Sequence, residues 1–320
     1  MSNREKNRAL VRELITAPFW EEKYAEHFSD QLTLRFPYAP PGMPQSMDPY
    51  HAREFFLWMR RTVKSWNVDL EELYSAMGSV REFWAIGWMD GQVFWGGGDG
   101  RLKTKFICCF ELDRSKVTQI TLISDPLRWL DAAGRTYPPF RMDLHHPRIE
   151  QFLKEHENDP PVTRPEPDLS PEACRQRRLE SLESSWYDET TGETQYMGEH
   201  AEGYEKIGWF MPYEMKVRHP AEEIPRCVAW GILSASEFVS DSNNGVVHVL
   251  EDPRVCISER SAYGMCHWLG NEYGGGYRND YFNIVRLDDH GYITMVEEIL
   301  NPVNKYNSIN VSLPSFPYFN

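Results

Sequence analysis

The chain has 320 residues, 41% of them apolar, with eleven Trp, sixteen Tyr and sixteen Phe. That length exceeds one ordinary compact unit and suits two of about 130–150 residues, each able to bury a core without disulfide or metal staples. A net charge of −14, with no Lys/Arg stripe to interrupt it, excludes a nucleic-acid partner, and no apolar run approaches the roughly 20 residues that cross a bilayer.

Residues 1–12 are charged and helix-like, without the apolar block of a signal peptide. The six cysteines form no CxxC pair and read as reduced thiols of a cytoplasmic protein. From Arg8 to Tyr24 apolar residues recur at helical spacing, which predicts the first helix. Glu26-His27-Phe28 leads to Phe36-Pro37-Tyr38, and a helical segment with a buried Trp follows around Phe56 to Leu73. Trp95-Gly96-Gly97-Gly98 opens a strand, a turn and a second strand that ends at Ser124-Asp125-Pro126. No Gly-Lys-Ser/Thr and no helix start follow these glycines, so they read as hairpin turns or sheet bends rather than a phosphate loop. Residues 141–157, with His145-His146-Pro147, predict a short helix appended to the first domain. Residues 158–171 hold five prolines and read as an extended, semi-stiff spacer. Ser170-Pro171-Glu172 then has the form of a helix start.

The second half runs through the same succession. Glu199-His200-Ala201 leads to Phe210-Met211-Pro212-Tyr213, a helical segment with Trp230 spans about Val228 to Phe238, and Tyr273-Gly274-Gly275-Gly276 opens the closing strands. Phe106 and Phe282 lie 176 residues apart, and so do Pro126 and Pro302. Both halves end in Pro-rich aromatic tails, Tyr137-Pro138-Pro139-Phe140 and Pro314-Ser315-Phe316-Pro317-Tyr318. Shared order at a near-constant offset reads as a tandem duplication. Helices first, then period-two strands joined by hairpin turns such as Asp288-Asp289-His290-Gly291, predict an α+β packing. The expected division is 1–140, a helix and linker at 141–169, and 170–320.

Tyr277-Arg278-Asn279-Asp280-Tyr281-Phe282, then a hairpin and Glu298-Ile299-Leu300-Asn301-Pro302, resembles the end of the phenazine-biosynthesis A/B proteins. Tyr24 to Asp30 and Phe36 to Pro44 resemble the start of SnoaL-like polyketide cyclases. Both belong to the fold of ketosteroid isomerase and nuclear transport factor 2. The resemblance implies two cone-shaped domains, each a strongly curved antiparallel sheet closed by about three helices, arranged as a pseudo-dimer. It also implies acid/base chemistry on a bound organic molecule without metal or redox cofactor.

Residue by residue, Glu298 matches the family's catalytic carboxylate and Tyr277 a pocket tyrosine. A carboxylate inside an apolar cone is desolvated and becomes a usable proton shuttle. Glu297 and Glu298 point to opposite faces, and the family register turns Glu298 inward. The family's His, and the Ser one turn later, are absent from Arg226-Cys227-Val228-Ala229-Trp230-Gly231, so the family's own condensation does not transfer. In the first half Leu122 stands for Glu298 and Arg101 for Tyr277, which leaves that domain without an acid/base group.

Period two sets Asn279, Tyr281 and Asn283 on the face of Tyr277 as candidate substrate contacts, with Trp230, His267, Trp268 and Arg218 as further candidates. His248, in a strand-like run, is a candidate catalytic histidine, and a lone histidine in a strand is more often structural. No metal-ligand spacing occurs. The sequence therefore predicts a cofactor-independent cyclase, isomerase, dehydratase or condensing enzyme of secondary metabolism acting on a small cyclic or aromatic substrate. The alternative is a non-catalytic small-molecule carrier or scaffold, whether as the pseudo-dimer alone or as a further homodimer.

Overall fold

The computed structural model describes residues 2–158, 168–183, 200–212, 218–220, 222–234 and 237–318. The Pro-rich spacer expected at 158–171 falls mostly outside these described residues. The chain forms two units. The first comprises Met1–Tyr137, Leu250–Asp252 and Leu313–Asn320, and the second Pro138–Val249 and Pro253–Ser312.

In the first unit, α1 (Asn3–Thr16) starts at a capping box between Ser2 and Glu5 and buries Val11, Leu14 and Ile15. A 3-10 turn (Glu22–His27) leads to β1 (Phe28–Arg35) and β2 (Ser46–Met47). Helix α2 (Pro49–Thr62) is capped by Asp48 and buries Phe55, Phe56, Trp58 and Met59. The strands β3 (Val63–Ser75), β4 (Glu82–Trp95), β5 (Gly98–Asp113) and β6 (Lys116–Ser124) form an antiparallel meander, and α3 (Pro126–Ala132) follows. Gly96 and Gly97, at φ 61° and 85°, make the two-residue turn between the paired Trp95 and Gly98. This is the left-handed backbone that a tight hairpin of matching twist requires, so this glycine run is a hairpin turn. The sheet order is β2-β1-β6-β5-β4-β3.

The second unit repeats that order. It begins with α4 (Pro147–Glu155) and α5 (Pro171–Glu183), then β7 (His200–Trp209) and α6 (Ile224–Ser234). The meander β8 (Glu237–Val249), β9 (Val255–Cys266), β10 (Gly275–Leu287) and β11 (Ile293–Leu300) precedes α7 (Pro302–Ser308). Its sheet order is β7-β11-β10-β9-β8. The burial of β11 reproduces that of β6 from Val117 onward, position for position. Asp125 and Asn301, each followed by Pro, cap α3 and α7 by accepting from Leu127 N and Val303 N.

Three features differ from the sequence expectation, the first being the helical segment expected around Phe56 to Leu73, which is helix only to Thr62 and strand from Val63 onward. The sheets are mixed rather than antiparallel, because the first strand of each unit runs parallel to the last, β1 to β6 and β7 to β11. The intervening helix and meander bring the chain back in the same direction. The domain boundaries also differ, since residues 138–157 belong to the second unit and residues 313–320 to the first. The reason is aromatic. Phe316 packs edge-on against Trp58, Trp95 and Trp129 at ring-centroid distances of 5.9, 5.2 and 5.8 Å. Phe140 likewise packs against Trp268 and Tyr306 at 6.1 and 5.8 Å. Each tail thus completes the aromatic core of the other repeat, and each such ring pair adds roughly 0.5–1.5 kcal/mol beyond the area it buries.

Candidate active site

Strand register decides which side chains meet. In the second unit Glu298 lies opposite Asn283, Asn283 opposite Ser258, and Ser258 opposite Val247. Alternation along β10 adds Tyr281, Asn279 and Tyr277 to this face, and alternation along β7 adds Lys206, whose neighbour in register is Val296. Lys206 Nζ stands 2.9 Å from Glu298 Oε2, with 42% of the Lys side chain and 18% of the Glu side chain exposed.

Lys305 reaches the same cluster from α7. It is 6% exposed, and its Nζ lies 4.7 Å from the Trp268 ring centroid, 5.8 Å from Trp230 and 6.0 Å from Phe140. Burial pushes its amine down to about 8, and the negative charge of Glu298 opposes that shift. Burial raises the Tyr277 and Tyr281 hydroxyls well above the ordinary tyrosine value, and Glu298 raises both further. Cys266 is pushed up to about 11 by burial, against the pull of Lys305. Lys305, Tyr277, Tyr281 and Cys266 are thus all perturbed by burial and by their charged or polar neighbours. Perturbed groups of this kind cluster at functional sites.

The first unit fills the same stations differently. Its row Leu122–Cys108–Ala85–Leu73 corresponds to Glu298–Asn283–Ser258–Val247. Leu34, beside Ile120, takes the place of Lys206 beside Val296. Trp95 stacks on Trp58 and on Trp129 at 5.5 and 5.1 Å, whereas Trp268 stacks on Trp230 at 5.3 Å and the Lys305 ammonium lies close to both of these rings, 4.7 and 5.8 Å from their centroids. Leu34, Cys108, Leu122 and Trp129 all line a small cavity walled by apolar side chains and one thiol. The polar cluster of the second unit occupies the stations that border this apolar cavity in the first. Register also corrects one correspondence: Tyr277 stands where Leu102 does, not Arg101, whose guanidinium pairs with Asp90 on the exposed face.

The other expected site residues separate into two groups. Asn279 is spent internally: its amide donates to Tyr277 Oη at 2.7 Å and Asn301 O at 3.1 Å, and its oxygen accepts from Asn301 N at 3.1 Å. It pins β10 to the cap of α7, as Thr104 does for Asp125 in the first unit. Tyr277 and Tyr281 share a 2.8 Å hydrogen bond. Trp230 and Trp268 are buried and donate to Leu269 O and Ser308 Oγ. Asn283 is different. It is 1% exposed, its amide makes one long 3.4 Å bond to Ser258, and its Oδ1 has no partner among the described residues. A buried amide with spare capacity beside Glu298 is poised for a ligand.

His248, His267 and Arg218 lie elsewhere, which corrects their assignment to the site. His248 pairs with Ile257, in the row of Ile284 and Glu297, so it faces away from Glu298 and bonds Glu259 at 3.0 Å. His267 is exposed beyond the end of β9. Arg218 is exposed and pairs at 3.0 Å with Glu205, on the Glu297 side of β7. Glu297 itself is buried and held by Trp209 Nε1 at 2.7 Å and Arg286 at 3.0 Å. Glu298 is neither dry nor alone, as an apolar cone implied, because Lys206 and Lys305 accompany it.

Sequence reasoning missed Lys206 and Lys305. The offset of 176 that pairs Pro126 with Pro302 also pairs Trp129 with Lys305, a signal present in the chain. Lys206 carried none, because only parallel pairing brings it to Glu298. Among the described residues no group of three or more His, Cys, Asp or Glu could hold a metal ion, and no helix is long and apolar enough to cross a membrane. All six cysteines are free.

No protein-family model matches the chain, and no curated protein does. Solved structures are similar in fold. A phenazine biosynthesis-related protein from Pseudomonas aeruginosa is 18% identical, with 44% of this chain and 93% of that one covered and a TM-score of 0.39. A SnoaL-like protein from Jannaschia sp. CCS1 is 13% identical over 40% and 92%, with a TM-score of 0.33. A nuclear transport factor 2-like protein from Burkholderia pseudomallei is 11% identical over 42% and 98%, with a TM-score of 0.30. These are the families that the motif segments resemble, and the likeness is one of fold.

Proposed function

We propose that the second unit is an acid/base active site of cyclase, isomerase, dehydratase or condensation type. It acts on a small cyclic or aromatic compound without metal or redox cofactor, and Glu298 carries the proton. The observation behind this reading is the exchange of the apolar stations Leu34, Leu122, Cys108 and Trp129 for Lys206, Glu298, Asn283 and Lys305. Buried polar groups cost stability, and a fold that packs these stations with hydrocarbon in one copy does not need them in the other. Lys206, half in water, gives Glu298 a neighbour through which protons reach solvent.

Hydrogen–deuterium exchange at carbon tests this. Cyclic ketones and β-dicarbonyl compounds incubated with the protein in heavy water should exchange their α-protons, and Glu298→Gln should slow the exchange by roughly 10²–10⁴-fold. Equal exchange with both proteins would remove Glu298 from the chemistry.

The first unit supports a second reading for itself. Its small apolar cavity is lined by no titratable group beyond the buried Cys108 thiol, so a compound held there would be apolar and would not be turned over.

A further inference from the structure

Phe140 and Phe316 stand 176 residues apart, the offset that also separates Phe106 from Phe282 and Pro126 from Pro302. They are therefore the same residue of the two repeats, and each belongs to the unit that the other repeat builds. Both rings are buried. Phe316 enters a cage of three indoles, with Trp58, Trp95 and Trp129 presented at 80°, 80° and 72° to its plane. Phe140 meets Trp268 and Tyr306 in the same edge-on manner, at 64° and 76°.

Both stations are built around a chain as well as around a ring. In the first unit Pro41 O accepts from Phe316 N at 2.6 Å. Gly42, at φ 91°, lies so close that a Cβ there would stand 3.1 Å from Phe316 O, and a Cβ on Gly96, at φ 61°, would stand 3.3 Å from Pro317 Cγ. In the second unit Leu269 O accepts from Asp143 N at 3.1 Å, and the Asn271 side chain holds Arg141 N and O at 3.2 and 2.9 Å. A Cβ on Gly270, at φ 106°, would stand 2.9 Å from Asp143 N. Left-handed glycines thus let a backbone approach closely in both units. Residues 137–143 and 313–317 form neither helix nor strand, so side-chain anchors carry most of their hold. Prolines flank both rings, Pro138-Pro139 before Phe140 and Pro314 and Pro317 around Phe316. A fixed φ at proline leaves less freedom to lose on docking, as in the proline-containing peptides that bind aromatic-lined grooves.

We propose that each station is a recognition groove for a proline-flanked phenylalanine segment, and that residues 313–318 are the exchangeable resident ligand of the groove in the first unit. Phe316 is the principal anchor and Tyr318 the second. The Tyr318 ring lies 5.6 Å from Trp58 and 6.2 Å from Phe55, and its hydroxyl donates to Met47 Sδ at 3.5 Å. The ligand and the three indoles come from different repeats, and Ser312, the residue that leads into the segment, is exposed. The segment is therefore held by its groove and not by its neighbours in sequence. A second copy of this chain carries the same ligand, so the groove takes the segment in trans once its own is released.

A protease site inserted after Ser312 allows the segment to be cut loose in the folded full chain. The probe is the end-blocked peptide Leu-Pro-Ser-Phe-Pro-Tyr, residues 313–318, carrying a fluorophore and followed by anisotropy. In excess it should exchange into the cut protein. The uncut protein should bind it at least about tenfold more weakly, because the tethered segment competes at an effective concentration on the order of millimolar. A peptide carrying Phe316→Ala should bind the cut protein about tenfold or more weakly than the parent peptide. Full-length Phe316→Ala, left uncut, provides a second route to a vacated cage and should take up the parent peptide as the cut protein does. Should cutting loosen the first unit, the parent peptide should restore its tryptophan fluorescence and the Phe316→Ala peptide should not. Equal binding by cut and uncut protein, binding indifferent to Phe316, or failure of both vacated forms to bind or recover with the peptide would overturn the proposal.

Discussion

Lys206 of β7 and Glu298 of β11 meet at 2.9 Å on the face where, in the first unit, Leu34 and Leu122 line a cavity. The two pairs hold the same stations in two parallel strand pairs, one as an ion pair and one as hydrocarbon. Duplication followed by divergence at these stations would leave one copy built for binding and the other for charge.

That equivalence can be tested in the first unit. Leu122→Glu places a carboxylate among apolar walls, and the loss should be about 3–5 kcal/mol, as for an uncompensated buried charge. Burial raises its pKa in the folded state, so stability should fall as pH rises above the unfolded Glu value of about 4.3. Adding Leu34→Lys should recover part of the loss. A double variant no more stable than the single one, measured by denaturant unfolding, would refute the equivalence.

Lys305→Met removes a buried charge. The folded amine is pushed down to about 8, below its unfolded value of about 10.4, so the wild type carries a stability penalty below pH 8 that fades as pH rises toward 10. The methionine variant should therefore be the more stable protein at pH 7, by about 1–3 kcal/mol, with the advantage vanishing near pH 10.5. A less stable variant at pH 7 would mean the lysine serves the fold.

Asp125 reports the opposite sign. Burial lifts its carboxyl to about 7, with Arg128 opposing, against an unfolded value of about 3.9. The folded state then binds the extra proton between these values, so stability falls from about pH 4 to pH 7 and levels off above. Asn301, the counterpart cap, carries no charge. Asp125→Asn should keep the cap and gain about 2–4 kcal/mol at pH 8 but nothing below pH 4, checked by thermal unfolding at both pH values.

The exchanged tails make a packing prediction. Phe316→Ala and Phe140→Ala should each cost about 3–5 kcal/mol, since both rings are almost fully buried among aromatic partners. Because Phe316 belongs to the first unit, its loss should raise quenching of the Trp58, Trp95 and Trp129 fluorescence by acrylamide. Unchanged quenching and stability would place the tail outside that core.

Much of this was local information, and local information is legible in sequence. Asp125-Pro126 and Asn301-Pro302 specify helix starts through a side-chain oxygen and a missing N–H, both acting within three residues. Gly96-Gly97 specifies a hairpin through backbone freedom alone. Alternation in β10 places Tyr277, Asn279, Tyr281 and Asn283 on one face because the pleat has period two, whatever lies beside the strand. The order of elements in the two halves, and the offset that sets Lys305 against Trp129, were likewise present in the chain. What tertiary structure decided was partnership between strands distant in sequence. His248 alternates correctly within β8, yet pairing with β9 turns it to the face of Glu297. Lys206 reaches Glu298 only through the parallel pairing of β7 with β11. The tails cross to complete the opposite aromatic cores, a choice set by which buried rings lack an edge. Register and segment exchange depend on the summed burial of whole faces, so no single residue or short motif carries them.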